Sequence, residues 1–192
     1  MTYRVNIPDG AEAVIHMTNH VGTSKLIESR KRLLETIYDA PETSLTPRER
    51  EAMRILFAVR SGCPFCSGAR LWRDKPGFSN VEIEEEFYRN AMVLNLEWPG
   101  FSARERLLLE FADRFDRDID GINEDDALWE RMHGSLSETE IGDLVIMLGG
   151  WVGMGRAIKA LGVADSLCVP LGQKTSVSYD QVMNAGRGEL VD

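Results

Sequence analysis

One pair of residues in this sequence has a type and a spacing that suggest chemistry directly. Cys63 and Cys66 enclose Pro64 and Phe65, and Gly62 precedes them as a helix stop. We predict that a new helix starts at the pair, where free N–H groups and the helix dipole stabilise a thiolate, the nucleophilic form of cysteine. The second thiol can then close a disulfide. Three interpretations remain open: a dithiol redox site, half of a zinc site, or two structural cysteines.

A zinc site would need two further ligands. The sequence has no second Cys-x-x-Cys pair, and His16 and His20 lie more than forty residues upstream of the first. We interpret these two as surface or capping residues of an N-terminal helix. His133, just before a glycine, fits a helix C-cap, and Cys168 fits a buried spare thiol. We therefore expect no metal.

Two charged residues stand at spacings that could bring them to the thiols. Glu51 lies twelve residues before Cys63, and Arg70 lies four residues after Cys66. If the cysteine helix runs to about residue 73, Arg70 and Cys66 share one of its faces. The spacing then favours a chain from Glu51 through Arg70 to Cys66. The plainer alternative is an ordinary interhelical ion pair.

Aromatic residues next to the cysteines are candidates for a substrate pocket. Phe65 and Trp72 are closest in sequence, although such side chains serve more often as core or subunit interface. Four glycines stand in one apolar helical segment, where each costs about 1 kcal/mol against alanine. We expect close helix packing there, within the chain or between subunits. These glycines are Gly149, Gly150, Gly153 and Gly155.

The run Arg-Glu-Arg-Glu, eleven further residues and Cys-Pro-Phe-Cys resembles the carboxymuconolactone decarboxylase family. The Cys-x-x-Cys pair is most similar to that of the alkylhydroperoxidase D branch. The resemblance covers about residues 24–165. It implies an all-α helical bundle with two related helical halves, assembled as a homo-oligomer, a trimer or a hexamer. It also implies activity without a cofactor.

The resemblance further implies roles for residues. Cys66 would attack a hydroperoxide, Cys63 would resolve the product as a disulfide, and a partner protein with a dithiol would reduce it. Glu51 would relay protons with a histidine, but this chain has Arg70 at the position of that histidine. Arginine cannot act as a base in a protein. It can still hold a thiolate or an anionic substrate by its charge.

Two other functions stay open. The chain could be a cofactor-independent lyase, decarboxylase or isomerase of a small aromatic-derived acid. In that case Arg70 would bind the substrate anion, and Glu51 or a cysteine would handle the proton. The chain could also be a catalytically silent oligomeric binding protein with a structural cysteine pair.

Helical patterns dominate the rest of the sequence, and we find no strand pattern. Three segments begin with a Ser or Thr followed three residues later by Glu, which is typical of a capping box. The pairs are Thr46 with Glu49, Ser102 with Glu105, and Ser137 with Glu140. The first two segments also share an Arg-Glu-Arg triplet. We predict a loop over 116–123 and one all-α domain over 1–192, ending in a polar tail over 166–192.

Composition restricts the possible functions. The chain has 192 residues, three cysteines and a formal charge of −9, so neither a disulfide-rich scaffold nor a general nucleic-acid binder is expected. The longest uncharged apolar stretch, 144–155, is shorter than the roughly 20 residues that span a bilayer. The first residues lack a signal-peptide pattern. We expect a soluble, cytoplasmic protein that acts on a small molecule.

Overall fold

A computed structural model describes residues 3–11, 13–39, 43–70 and 82–163. These ranges contain nine helices and no strand, which confirms the all-α class. Trp72, Cys168 and the tail over 166–192 lie outside the described residues. The helices are α1 (Ala13–His20), α2 (Ser24–Asp39), α3 (Pro47–Arg60), α4 (Pro64–Gly68), α5 (Glu85–Met92), α6 (Ala103–Arg117), α7 (Ile119–Asn123), α8 (Asp126–Ser135) and α9 (Glu138–Leu161).

The three predicted capping boxes form at the starts of α3, α6 and α9. In each box the Ser or Thr side chain accepts the N–H of the glutamate three residues on. The glutamate carboxylate accepts the N–H of the cap residue in return, at 2.7–2.8 Å. Two N–H groups that have no partner within the helix are satisfied in this way.

Two arginines cross-link these helix starts. Arg48 Nε lies 2.8 Å from the Glu105 carboxylate, and Arg104 Nε lies 2.6 Å from that of Glu49. Each Arg-Glu-Arg triplet therefore donates its first arginine to the glutamate of the other. Arg104 also reaches Glu140, at 2.6 Å, so the starts of α3, α6 and α9 meet at one end of the molecule.

The other ends of the same helices also meet. Arg60, the last residue of α3, pairs with Asp113 and Asp116 near the end of α6. Arg156 of α9 lies 3.3 Å from Asp116. The three helices α3, α6 and α9 therefore run in the same direction. Because parallel helices need a return path, the chain between them carries the shorter helices α4, α5, α7 and α8.

The main apolar core lies between these helices. Its largest members come from α3, α5, α6 and α9, and they are almost completely buried. They include Ile55, Leu56, Phe87, Leu108, Phe111 and Leu148. A second apolar cluster lies where α1 contacts the end of α9, and Cys63 belongs to it.

Two boundaries differ from the predicted ones. The helix that follows the cysteines ends at Gly68 instead of near residue 73. The segment predicted as a loop over 116–123 contains the end of α6 and the short helix α7. Asp118 explains α7, because its carboxylate accepts the N–H of Gly121 and caps the turn.

Close packing within the chain explains two of the four glycines of α9. A Cβ at Gly150 would lie 2.6 Å from Ile37 Cδ1, and a Cβ at Gly155 would lie 2.9 Å from Ser61 Cβ. The second contact sets how closely α9 approaches the end of α3. Cβ atoms at Gly149 and Gly153 would meet no atom of the described residues within 4 Å. Packing of those two against another subunit stays a prediction.

One described helix, α9, is long and apolar enough by length and composition to cross a membrane. An 18-residue segment of α9 is apolar enough if up to two charged residues are allowed within it, so it extends beyond the uncharged stretch 144–155. A third of this stretch is buried within the chain. Core helices of other proteins pass the same test, so length and composition do not decide between the two.

We predict that Glu140 makes stability depend on acid. Its pKa falls from the ordinary 4.5 to about 2, because it accepts hydrogen bonds from the Ser137 N–H, Arg104 and the Ser137 hydroxyl. A lowered folded-state pKa stabilises the fold above pH 4.5, and this contribution is lost as pH falls through about 2. Urea unfolding from pH 7 to pH 2 should show wild type more stable than Glu140→Gln at neutral pH, with the difference shrinking in acid.

The control for this measurement is Glu97→Gln, since Glu97 is exposed and lies outside the helices. Its effect on the free energy of unfolding should be small throughout. A difference between wild type and Glu140→Gln that does not change with pH would contradict the prediction.

Candidate functional site

The end of α3 delivers the cysteine pair. Ser61 caps α3, and Gly62 turns the chain with a φ of 65°, a conformation that glycine adopts without steric cost. Cys63 follows directly and precedes the first residue of α4. Cys63 and Cys66 form a disulfide, with their Cα atoms 5.3 Å apart. The predicted position of the pair at a helix start is confirmed.

The two sulfurs have different surroundings. Cys63 is 1% exposed and packs in the second apolar cluster, against α1 and the end of α9. Cys66 is partly exposed and touches both apolar clusters. The Cys66 N–H donates to Cys63 Sγ at 3.2 Å, and in the reduced protein the same donor would favour a thiolate at Cys63. Cys66 is therefore the more exposed residue of the two, while Cys63 has the sulfur with a hydrogen-bond donor.

Arg54 of α3 connects that helix to α4. Its guanidinium donates two hydrogen bonds to the carboxylate of Glu51, at 2.5 and 3.2 Å. It also donates to the carbonyl oxygens of Cys66 and Ala69, both at 2.7 Å. Glu51 is 0% exposed and Arg54 4%. This buried ion pair therefore ties the backbone of the cysteine segment to α3.

Arg70 holds the end of the same segment. It pairs with Glu85 of α5 at 2.6 and 3.3 Å, and it donates to the carbonyl oxygens of Ser67 and Ala69. Its guanidinium carbon lies 4.4 Å from the centre of the Tyr88 ring. Arg70 is 1% exposed. Its charge is thus engaged by a carboxylate, two carbonyls and an aromatic face.

The structure corrects the predicted chain from Glu51 through Arg70 to Cys66. Because α4 ends at Gly68, Arg70 no longer shares a helical face with Cys66. Glu51 pairs with Arg54 instead, and Arg54 makes the link to Cys66 through its carbonyl. Sequence reasoning missed Arg54 and Glu85. One available signal was Arg54 itself, a charged residue among the inward-facing apolar residues of α3.

Other candidates contribute less to the described site. Trp72 and the side chain of Phe65 lie outside the described residues, so their substrate-binding role stays a prediction. The ring centres of His16 and His20 are 5.0 Å apart on α1, and His133 lies 3.3 Å from Glu138. Across the described ranges no three His, Cys, Asp or Glu residues are grouped to hold a metal ion.

Comparisons with protein-family models, with curated proteins and with solved structures found no match to this chain. The chain is therefore classified by its fold and its cysteine site alone. It is an all-helical protein whose Cys-x-x-Cys disulfide begins a five-residue helix held by two buried arginines.

We predict that Arg54→Met destabilises the oxidised protein by about 3–5 kcal/mol, the cost typical of leaving one partner of a buried ion pair alone. Glu51 would remain buried without its cation, and two carbonyls of the cysteine segment would lose their donor. Chemical denaturation with the disulfide intact measures the effect. The double variant Glu51→Gln/Arg54→Met should recover part of the loss.

Arg32→Met is the matched control. Arg32 pairs with Glu28 at 2.7 Å, but both side chains are more than half exposed. Removing this surface pair should cost less than about 1 kcal/mol. Equal losses in Arg54→Met and Arg32→Met would contradict the role of Arg54 as a buried support.

Proposed function

We propose that this protein is a cofactor-free, thiol-dependent peroxidase and disulfide oxidoreductase that uses Cys63 and Cys66 on hydroperoxides. The observation that carries the proposal is the difference between the two sulfurs at disulfide distance. Cys66 is the accessible one, while Cys63 is buried and accepts the Cys66 N–H.

The proposed cycle starts from the reduced pair. The Cys66 thiolate attacks the outer oxygen of a hydroperoxide, and the O–O bond breaks to give a sulfenic acid on Cys66 and an alkoxide, which takes a proton from solvent to become the alcohol. The Cys63 thiolate then attacks the Cys66 sulfur and forms the disulfide, and the hydroxide that leaves takes a proton from solvent to become water. One thiolate of a partner dithiol attacks the sulfur of the partly exposed Cys66, and Cys63 leaves as a thiolate. The partner's second thiol then displaces Cys66 from this mixed disulfide, so the partner ends as a disulfide and both cysteines end as thiols.

The surrounding charges support this cycle by position. Glu51 and Arg54 hold the carbonyls of the cysteine segment, so we assign them to keeping both sulfurs within reach of each other. Arg70 has a similar role at the end of the segment. A proton relay through residue 70 forms no part of the proposal, since arginine keeps its proton.

The resemblance to the carboxymuconolactone decarboxylase family provides further proposals. The helical content and the side-by-side Arg-Glu-Arg segments support a bundle of that type with two related halves. The same resemblance leads us to propose a trimer or a hexamer. The cycle needs a reductant and a reducing environment, so we also propose a dithiol protein as partner and a cytoplasmic location. The alternative lyase is less well supported. Its anion anchor, Arg70, is already paired with Glu85.

We predict that one equivalent of hydroperoxide removes two thiols per chain. The test uses a Cys168→Ser background, so that only the pair is counted, and measures free thiols in the reduced protein before and after cumene hydroperoxide. The count should fall from two to zero, and a dithiol should restore it. An unchanged thiol count would contradict the redox function.

Single variants then test which sulfur attacks. With Cys63→Ser, Cys66 should form a sulfenic acid that dimedone traps, seen as one adduct by mass spectrometry. With Cys66→Ser, peroxide consumption should fall at least roughly tenfold, because the remaining thiol is buried. Rapid trapping at Cys63 in the second variant would reverse the two assignments.

A further inference from the structure

A groove lies between the ends of α3 and α9, beside Ser61 and Gly155. It has a cavity of about 200 Å³. We call it the α3–α9 groove and define it by Phe57, Arg60, Trp151, Val152, Arg156 and Lys159. Nothing in the proposed peroxidase cycle uses these residues.

The Ser61–Gly155 contact separates the groove from the cysteines. Met154 and Ile158 of α9 face the cluster that contains Cys63. Gly155 and Lys159, one position further along the helix in each case, line the groove instead. The two sites therefore lie on neighbouring faces of α9 with packed backbone between them.

Positive charge collects at the rim. Arg60 and Arg156 share one carboxylate, Asp116, at 3.6 and 3.3 Å. Within the described part of the chain, Lys159 has no carboxylate at ion-pair distance. The pKa of Arg60 is lowered by burial and next by the like charge of Arg117, even though Asp116 opposes the shift. Arg60 is also paired with Asp113, so among the described residues the rim cation without a carboxylate at ion-pair distance is Lys159.

The cations can reach a ligand without breaking the fold. Arg156 is 71% exposed and makes one long contact with Asp116. Lys159 is exposed in the last turn of α9. Both long side chains can turn towards an anion in the groove at low cost, unlike the buried Arg70.

The floor of the groove is apolar. Phe57 and Trp151 are buried, with ring centres 6.5 Å apart, and Val152 lies beside them. A neighbouring cavity across Asp116 is lined by Asp118 and Asp120 and also by Arg117 and Arg156, so its charge is mixed. Of these two cavities, the α3–α9 groove is the one that combines a buried aromatic pair with a mainly basic rim.

We propose that the α3–α9 groove binds a small organic anion with a flat apolar body, such as an aromatic carboxylate. The ring would cover Phe57, Trp151 and Val152, and the carboxylate would meet Lys159 and Arg156. Asp116 would oppose binding, because it occupies the same guanidinium groups that the ligand would use.

The test titrates the oxidised full-length protein with 2-naphthoate by calorimetry at low salt, with neutral 2-naphthamide as the matched ligand. Naphthoate should bind saturably to one site per chain, and the amide roughly tenfold more weakly. Lys159→Glu should weaken naphthoate binding roughly tenfold, whereas Asp116→Asn should strengthen it. Added salt should weaken it as well.

Arg89→Glu is the control variant, because it makes the same charge change on α5, outside the groove, at a residue that is also exposed. Its affinity should match wild type. The proposal is overturned if naphthoate does not saturate, if the amide binds as well, or if Lys159→Glu and Arg89→Glu behave alike. Since the protein stays oxidised, failure of the peroxidase cycle would not affect these results.

Discussion

The crossed ion pairs at the starts of α3 and α6 are the constraint on which the rest of the structure depends. Arg48 reaches Glu105 and Arg104 reaches Glu49, while both glutamates also cap their own helices. Each carboxylate thus joins local helix initiation to long-range packing. Because Arg104 also binds the capping glutamate of α9, three helix starts are fixed together, and the helices must run side by side in one direction.

This arrangement explains how a five-residue helix can carry the cysteine pair. So short a helix is unstable alone. The fixed end of α3 supplies Cys63, while Arg54 and Arg70 bind the carbonyls that α4 and the two residues after it leave unpaired. Both cations are buried and balanced by a carboxylate, so removing either would leave an uncompensated charge. The pair is therefore held in position by electrostatics more than by its own helix.

The contact between α3 and α9 separates the disulfide from the α3–α9 groove. On one side, the disulfide lies in an apolar cluster with limited exposure. On the other, the groove presents exposed cations over aromatic rings. Gly155 allows this division, because a side chain there would collide with Ser61 and push the two helix ends apart.

The sequence by itself determined the local features. The capping boxes, the turn at Gly62 and the helix start at the cysteines depend on residues within four positions of each other, and all were predicted. Tertiary structure alone decided the partners of the long arginine side chains. Arg70 pairs with Glu85, fifteen residues away. Arg54, instead of Arg70, connects Glu51 with the backbone of Cys66. An arginine reaches any carboxylate that folding brings near, so its partner cannot be read from spacing once a helix ends earlier than predicted.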